Sequence, residues 1–248
     1  MKTLLIVNTG NDIDIIEESL THNEKFFDNI IVADRQSYDG TVDVVKNLIK
    51  THPKISIIDT NYEPDYQWTW LITALQTHKE SYDYIVFLDG DEFIRAEDLS
   101  EFEQIPENSV GVLKWQCYVP MQDVFSNFKS NIKYRRTLEK EDWHKLVYPT
   151  KNTVIPSNGN HYCKTLTGEM VPMVDMSIKL AHFPVRSKDQ VNKKIKFWKR
   201  EMEGKDKTFV SHIRNMNEIT TNDELRDNAI SYGGDLIEGQ SVIYDPVK

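Results

Sequence analysis

The stretch Tyr84-Ile85-Val86-Phe87-Leu88 runs five apolar, mostly β-preferring residues straight into three carboxylates, Asp89, Asp91 and Glu92, with Gly90 between the first two. A continuous apolar run of this length is the pattern of a strand buried on both faces. In open α/β sheets ligands sit outside the carboxyl ends of the strands, so the stretch predicts a parallel sheet with an acidic rim. Two carboxylates one residue apart repel each other unless a cation lies between them. All-oxygen ligands suit a hard divalent ion such as Mg²⁺ or Mn²⁺. A lone D-x-D reads equally well as an acidic loop after a core strand, and the surrounding chain has to decide.

Upstream, strand and helix patterns alternate. Residues 3 to 8 form an apolar strand, followed by the turn Thr9-Gly10-Asn11-Asp12; Ile13, Ile16, Leu20 and Phe27 then recur at helical spacing. Ile30-Ile31-Val32-Ala33 and Ile55-Ser56-Ile57-Ile58-Asp59 are two further strands. Between them lies a helix through Val42, Val45, Leu48 and Ile49 that ends before Pro53. Gln67 to His78 is a helix with Trp68, Leu71, Ile72 and Leu75 on one side, and both Trp68 and Trp70 are expected to pack in the core. Four strands and three helices in this order predict an α/β fold with a Rossmann-like, mostly parallel central sheet flanked by helices.

After Glu92 the pattern is mixed. Strands are expected at residues 110–119, 134–136, 145–148, 177–183 and 241–244, a turn at Asn158-Gly159-Asn160-His161, a basic amphipathic helix at 188–203 and a short helix at 223–230. The 248 residues are read as a single domain with three parts: 1–95, a mixed second half over 96–205, and a C-terminal extension over 206–248.

Composition narrows the function classes. Hydrophobic content of 39% with 28% charged residues describes a globular chain rather than a disordered one. A formal net charge of −9 argues against nucleic-acid partners, which require a positive field. Basic residues concentrate at 188–207, and a basic helix there offers a peripheral contact with an anionic membrane surface or a phosphorylated ligand. Cys117 and Cys163 have no partner spacing for a disulfide or zinc site, no apolar run approaches a membrane span, and the N-terminus reads as a strand. The expectation is a cytoplasmic, reduced protein, peripheral at most to the inner face of the membrane.

Two motifs in order make a family resemblance. Asp34-Arg35-Gln36-Ser37-Tyr38-Asp39-Gly40-Thr41 resembles the D-x-x-S-x-D-G-T that follows the second strand in family 2 glycosyltransferases, and Leu88-Asp89-Gly90-Asp91-Glu92-Phe93 resembles their D-x-D motif. The Asn11-Asp12 turn is similar to the Asn-Glu found after their first strand. Ala181-His182-Phe183-Pro184-Val185-Arg186-Ser187 is similar to a segment of some bacterial members. The resemblance covers roughly residues 3 to 200. It implies a GT-A fold with a nucleotide-sugar-binding half over 1–95 and an acceptor-binding half over 96–205. It also implies transfer of a sugar from a nucleotide-diphosphate donor, a UDP-sugar by expectation, to a glycan, lipid-linked or protein acceptor. In this reading Asp34 faces the nucleobase or ribose, with Thr9, Asn11 and Arg35 bordering that pocket. Asp89 and Gly90 lie near the ribose and metal, Asp91 ligates the Mn²⁺ or Mg²⁺, and His182 adds a ligand from the C-terminal half.

The chemistry calls for further groups. Breaking a glycosyl–phosphate bond builds negative charge on the departing diphosphate, which Lys145, Arg186, Lys193 and Lys194 are candidates to stabilise. An inverting transfer also needs a carboxylate to take the acceptor's proton. Asp142 is chosen among Asp123, Glu139, Glu141 and Asp142 because Trp143 beside it offers a sugar-packing face and desolvation. His161 is a candidate for lining the acceptor pocket. The competing readings are a haloacid dehalogenase-like, Mg²⁺-dependent phosphatase built on the same D-x-D, and a carbohydrate-binding or scaffolding protein on an inactive GT-A fold.

Overall fold

A computed structural model describes residues 1–60, 67–201, 218–232 and 237–247. The elements run β1 (Thr3–Thr9), α1 (Ile16–Asn23), β2 (Asn29–Asp34), α2 (Thr41–Ile49), β3 (Ile55–Asp59), α3 (Gln67–His78), β4 (Tyr84–Asp89) and β5 (Glu92–Arg95). They continue with β6 (Val110–Val119), α4 (Phe128–Asn131), β7 (Tyr134–Arg136), β8 (His144–Pro149), β9 (Ile155–Pro156), β10 (Cys163–Lys164) and β11 (Met173–His182). The last are α5 (Lys188–Glu201), α6 (Asn222–Ile230) and β12 (Val242–Tyr244). Two compact units share them: Met1–Trp115 with Lys140–Leu180, and Gln116–Glu139 with Ala181–Lys248. The first unit thus draws on both the 1–95 and the 96–205 stretches.

The first unit is an α/β sheet in the order β3-β2-β1-β4-β8-β6. The strands β3, β2, β1 and β4 are mutually parallel, while β8 runs antiparallel to both β4 and β6. This is the expected Rossmann-like, mostly parallel sheet with a mixed continuation. Leu4, Leu5, Ile6 and Val7 of β1 are all fully buried, as a strand covered on both faces requires. On one face Leu4, Ile6, Phe87, Val112 and Leu146 pack with Leu71 and Leu75 of α3. Among the described residues no helix is long and apolar enough to cross a membrane.

Register places the chemistry. Thr9 pairs with Asp34, and Asn8 pairs with Asp89, so the carboxyl ends of β1, β2 and β4 finish side by side. Three segments of the sequence that each looked like site material therefore meet at one edge for reasons of backbone pairing alone.

Of the short elements after β4, β5, α4, β9 and β10 went unforeseen. β5 has only four residues and is fixed by side chains of α1: Asn23 donates from Nδ2 to the Glu92 carbonyl at 2.9 Å and accepts from the Ile94 N–H at 2.9 Å, and His22 Nε2 sits 2.7 Å from the Ile94 carbonyl. α1 begins at Ile16 rather than at Ile13, which is 44% exposed, because the Asp12 carbonyl closes a turn onto the Ile15 and Ile16 N–H groups first. The core expectation for Trp68 is corrected as well. The buried face of α3 is made by Leu71, Ala74 and Leu75, and Trp68 in the first turn is left 39% exposed, whereas Trp70 does pack against the core.

The second unit has its own small core, with Val119, Val185, Val191, Ile195, Leu225 and Ala229 in contact. Its strands run β12-β7, ending on Tyr118 and Val119 of β6. α6 is closed by a capping box in which Thr221 accepts from the Glu224 N–H.

Phe87 is 1% exposed and meets the Tyr148 ring edge-on at 5.8 Å between centroids. Phe87→Ala is expected to cost about 3–5 kcal/mol in urea unfolding at neutral pH. A loss below about 1 kcal/mol would show that the β4–β8 layer is not the core described here.

Candidate active site

At the joined ends of β1 and β2, two loops are bolted together by side-chain hydrogen bonds. The Asn11 N–H donates to Ser37 Oγ at 2.9 Å and Asn11 Oδ1 accepts from the Tyr38 N–H at 2.9 Å. The Asp12 N–H donates to Thr41 Oγ1 at 2.9 Å, and the Ile13 N–H to Asp39 Oδ2 at 3.1 Å. Asp39 also accepts from the Thr41 hydroxyl and N–H, and the intervening Gly40 takes φ +101°, a conformation suited to glycine. The side chains of Ser37, Asp39 and Thr41 and the backbone of Gly40 therefore each have a structural reason, while the Tyr38 side chain is 67% exposed. The motif ties the loop after β2 to the loop after β1 as a wall.

Asp34 is what the wall holds in place. Its Oδ2 accepts from the Ser37 N–H at 3.0 Å, its residue is 4% exposed, and its Oδ1 has no hydrogen-bond partner among the described residues. A buried acceptor left open costs free energy unless a ligand satisfies it. Arg35 is tied through its N–H to the Thr9 carbonyl at 2.9 Å, and Thr9 Oγ1 donates to Asp12 Oδ2 at 2.9 Å. Asp12 then reaches the acidic turn. A Cβ at Gly90 would come within 2.9 Å of Asp12 Oδ2 and 3.3 Å of Thr9 Oγ1, so any other residue there would have to push Asp12 away from Thr9.

The acidic turn is organised by a lysine. Lys145, on β8, is buried; its Nζ lies 2.7 Å from Asp89 Oδ2, 3.7 Å from Glu92 Oε1 and 3.2 Å from the Gly159 carbonyl. Glu92 is fully buried and accepts from the Asp89 N–H through Oε2 at 2.8 Å. Burial alone would push the Lys145 ammonium's pKa down, but the charges of Asp89 and Glu92 outweigh it and hold it above the ordinary lysine range. Burial pushes the Glu92 carboxyl well above the usual range, with Lys145 pulling the other way. Asp89 is the accessible acid of the turn, its side chain 42% exposed, while Asp91 is 7% exposed.

Among the described residues no group of three His, Cys, Asp or Glu side chains is arranged to hold a metal. The acidic turn itself offers two aspartates to such an ion, Asp89 exposed and Asp91 buried, with oxygen donors of the type a hard divalent ion takes.

Next to Lys145 stand aromatic rings. Trp115 lies 5.5 Å from its Nζ, 5.8 Å from the Trp143 ring and 5.7 Å from His161. Asp142, the expected base, is exposed beside the half-buried Trp143. Adjacency to Trp143 therefore does not bury Asp142. His161 is brought next to Lys145 and donates from Nδ1 to the His144 carbonyl at 2.8 Å.

The other expected residues lie in the second unit. His182 is 3% exposed there, its Nδ1 3.6 Å from Cys117 Sγ and its ring 5.7 Å edge-on from Tyr232. Arg186 is 1% exposed, donates to the Phe183 carbonyl at 2.7 Å and lies 5.7 Å from the Phe128 ring, a setting for a packing cation. Lys193 pairs with Asp189 at 2.7 Å on an exposed face, and Lys194 lies over the Tyr232 ring. Sequence reasoning passed over Glu92 and Asp12 as site residues. Both lay in stretches already singled out, Glu92 among the three acids after β4 and Asp12 in the Asn11-Asp12 turn, but neither was given a role.

The family model for glycosyl transferase family 2 matches residues 5–165, more than half of the chain. The chain belongs to glycosyl transferase family 2. Among curated protein sequences none matches it. Similar solved structures include the mannosyltransferase PcManGT from Pyrobaculum calidifontis in complex with GDP-Man and Mn²⁺, at 11% identity and TM-score 0.46, over 84% of this chain and 66% of that one. GalNAc-T7 with UDP, GalNAc and Mn²⁺ aligns at 7% identity and TM-score 0.45, over 92% of this chain and 54% of its own. HddC from Yersinia pseudotuberculosis aligns at 12% identity and TM-score 0.42, over 73% and 93%. The chain thus spans less than two thirds of the mannosyltransferase and about half of GalNAc-T7. Membership in the family sets aside the phosphatase reading of the D-x-D turn.

Burial, and then the charge of Lys145, hold the His161 pKa down at about 4, against an ordinary 6.5. The unfolded chain therefore takes up a proton that the folded one refuses. Stability from this group is full above pH 6.5 and is lost as pH falls from 6.5 towards 4. Between pH 7 and 4.5, urea unfolding of the wild type is expected to lose about 1–3 kcal/mol more than His161→Gln. Parallel profiles for the two proteins would contradict the burial of a neutral ring.

Proposed function

We propose that the chain is a metal-dependent glycosyltransferase that moves a sugar from a nucleotide-diphosphate donor, by expectation a UDP-sugar, to a glycan, lipid-linked or protein acceptor with inversion. The observation that carries this reading is the meeting of the Asp34 wall and the Asp89-Gly90-Asp91 turn at the ends of β1, β2 and β4. Asp34 Oδ1 is a buried acceptor suited to a ribose hydroxyl or a base N–H. Thr9, Asn11 and Arg35 border the same pocket and fix its floor.

Asp89 and Asp91 would hold the divalent ion, which when bound stabilises charge on the departing diphosphate as a Lewis acid. Lys145 adds a fixed positive charge beside them in a dry setting, where a charge acts more strongly than in water. Gly90 lets the turn approach Asp12. Asp142 stays the proposed base on its place beside Trp143, and His182 a proposed metal ligand on the family pattern. α5 is proposed to face an anionic membrane surface from the cytoplasmic side.

A thermal-shift panel of nucleotides and nucleotide sugars with Mn²⁺ tests the reading. A nucleoside diphosphate is expected to raise the melting temperature in a metal-dependent way, Asp91→Ala to abolish that dependence, and Asp34→Ala to weaken binding by roughly tenfold or more. His182→Ala and Asp142→Asn in turnover assays test those two roles. If no nucleotide stabilises the protein while glycans do, the non-catalytic binding reading replaces this one.

A further inference from the structure

Asp89, Asp91 and Glu92 place three acids within four residues, and two of them are nearly sealed from water, at 7% and 0% exposure. Such a cluster repels itself unless a cation is at hand. The cation is already built in. Lys145 reaches Asp89 Oδ2 at 2.7 Å and Glu92 Oε1 at 3.7 Å, and the latter oxygen is buried with no hydrogen-bond partner among the described residues. One oxygen of Asp89 is therefore engaged before any ligand arrives.

A divalent ion loading the free protein would have to share Asp89 with this ammonium, which is held by Asp89, Glu92 and the Gly159 carbonyl. Among the described residues there is no three-ligand cluster to offset that repulsion. A nucleoside diphosphate changes the balance by bringing negative charge and oxygen ligands of its own.

We propose that Lys145 is the resident counter-cation of the acidic turn, and that the divalent ion enters only together with the donor's diphosphate instead of loading the free protein. Glu92 is a positioning residue in this arrangement, holding Lys145 through Oε1 and the Asp89 N–H through Oε2. The proposal rests on the donor-site reading above and adds an order of binding to it.

The test is the electron paramagnetic resonance signal of free aqueous Mn²⁺ in titrations of the wild-type chain, Lys145→Met and Lys145→Arg. Each is run alone and with UDP or GDP, and nucleotide-only controls are subtracted. The wild type alone is expected to leave Mn²⁺ largely free, with binding about tenfold tighter or more once a nucleoside diphosphate is present. Lys145→Met is expected to bind Mn²⁺ alone about tenfold more tightly than the wild type, and Lys145→Arg to behave like the wild type. Tight Mn²⁺ binding by the nucleotide-free wild type, or a folded Met variant no tighter than it, overturns the proposal while leaving donor binding intact. Should circular dichroism show the Met variant unfolded, the wild-type comparison with and without nucleotide decides. Absence of nucleotide binding under every condition overturns the donor-site reading itself.

Discussion

The charge balance around Lys145 is the interaction on which the site depends. A lysine and a glutamate, both nearly sealed from solvent, face each other behind a turn whose own acids would otherwise drive it apart. Buried pairs of this kind are costly to break, because one removed partner strands the other. The pair therefore fixes where Asp89 sits. Gly90 and Asp91 follow from it, since the turn is pinned at its start through the Asp89 N–H and Oδ2, and at its end where α1 holds the Glu92 carbonyl.

The rest of the first unit serves that geometry. Parallel pairing of β1 with β2 and β4 brings three strand ends level, and the loops after β1 and β2 lock onto each other through Asn11, Asp12, Ser37, Asp39 and Thr41. A rigid wall of this kind limits the conformational entropy that a bound nucleotide would otherwise have to remove. Its side chains hold backbone N–H groups and leave Asp34 Oδ1 open.

Much of this is legible in sequence, and the boundary between what is and what is not has a physical basis. The apolar runs at residues 3–8, 30–33, 55–58 and 84–88 reveal buried parallel strands because their signal is local. The Asp34 and Asp89 motifs are legible for the same reason. The pairing of Lys145 with Asp89 spans 56 residues and depends on the antiparallel register of β8, which no local pattern specifies. The exposure of Asp142 was not legible, because adjacency to Trp143 in sequence does not imply shared burial. Trp68 was misjudged because helical spacing does not say where a helix outruns the layer beneath it. β5, at four residues, carries too little periodicity to be seen, and its place is set by pairing with β11 and by side chains of α1.

The most direct test of the central claim is a double-mutant cycle on Lys145→Met and Glu92→Gln, read by urea unfolding in EDTA so that no divalent ion can substitute for the lysine. Lys145→Met alone is expected to cost about 3–5 kcal/mol. Adding Glu92→Gln should recover part of that loss, giving a coupling energy above about 1 kcal/mol. Effects that add to within about 0.5 kcal/mol would contradict the account, because they would mean the buried pair does not hold the acidic turn.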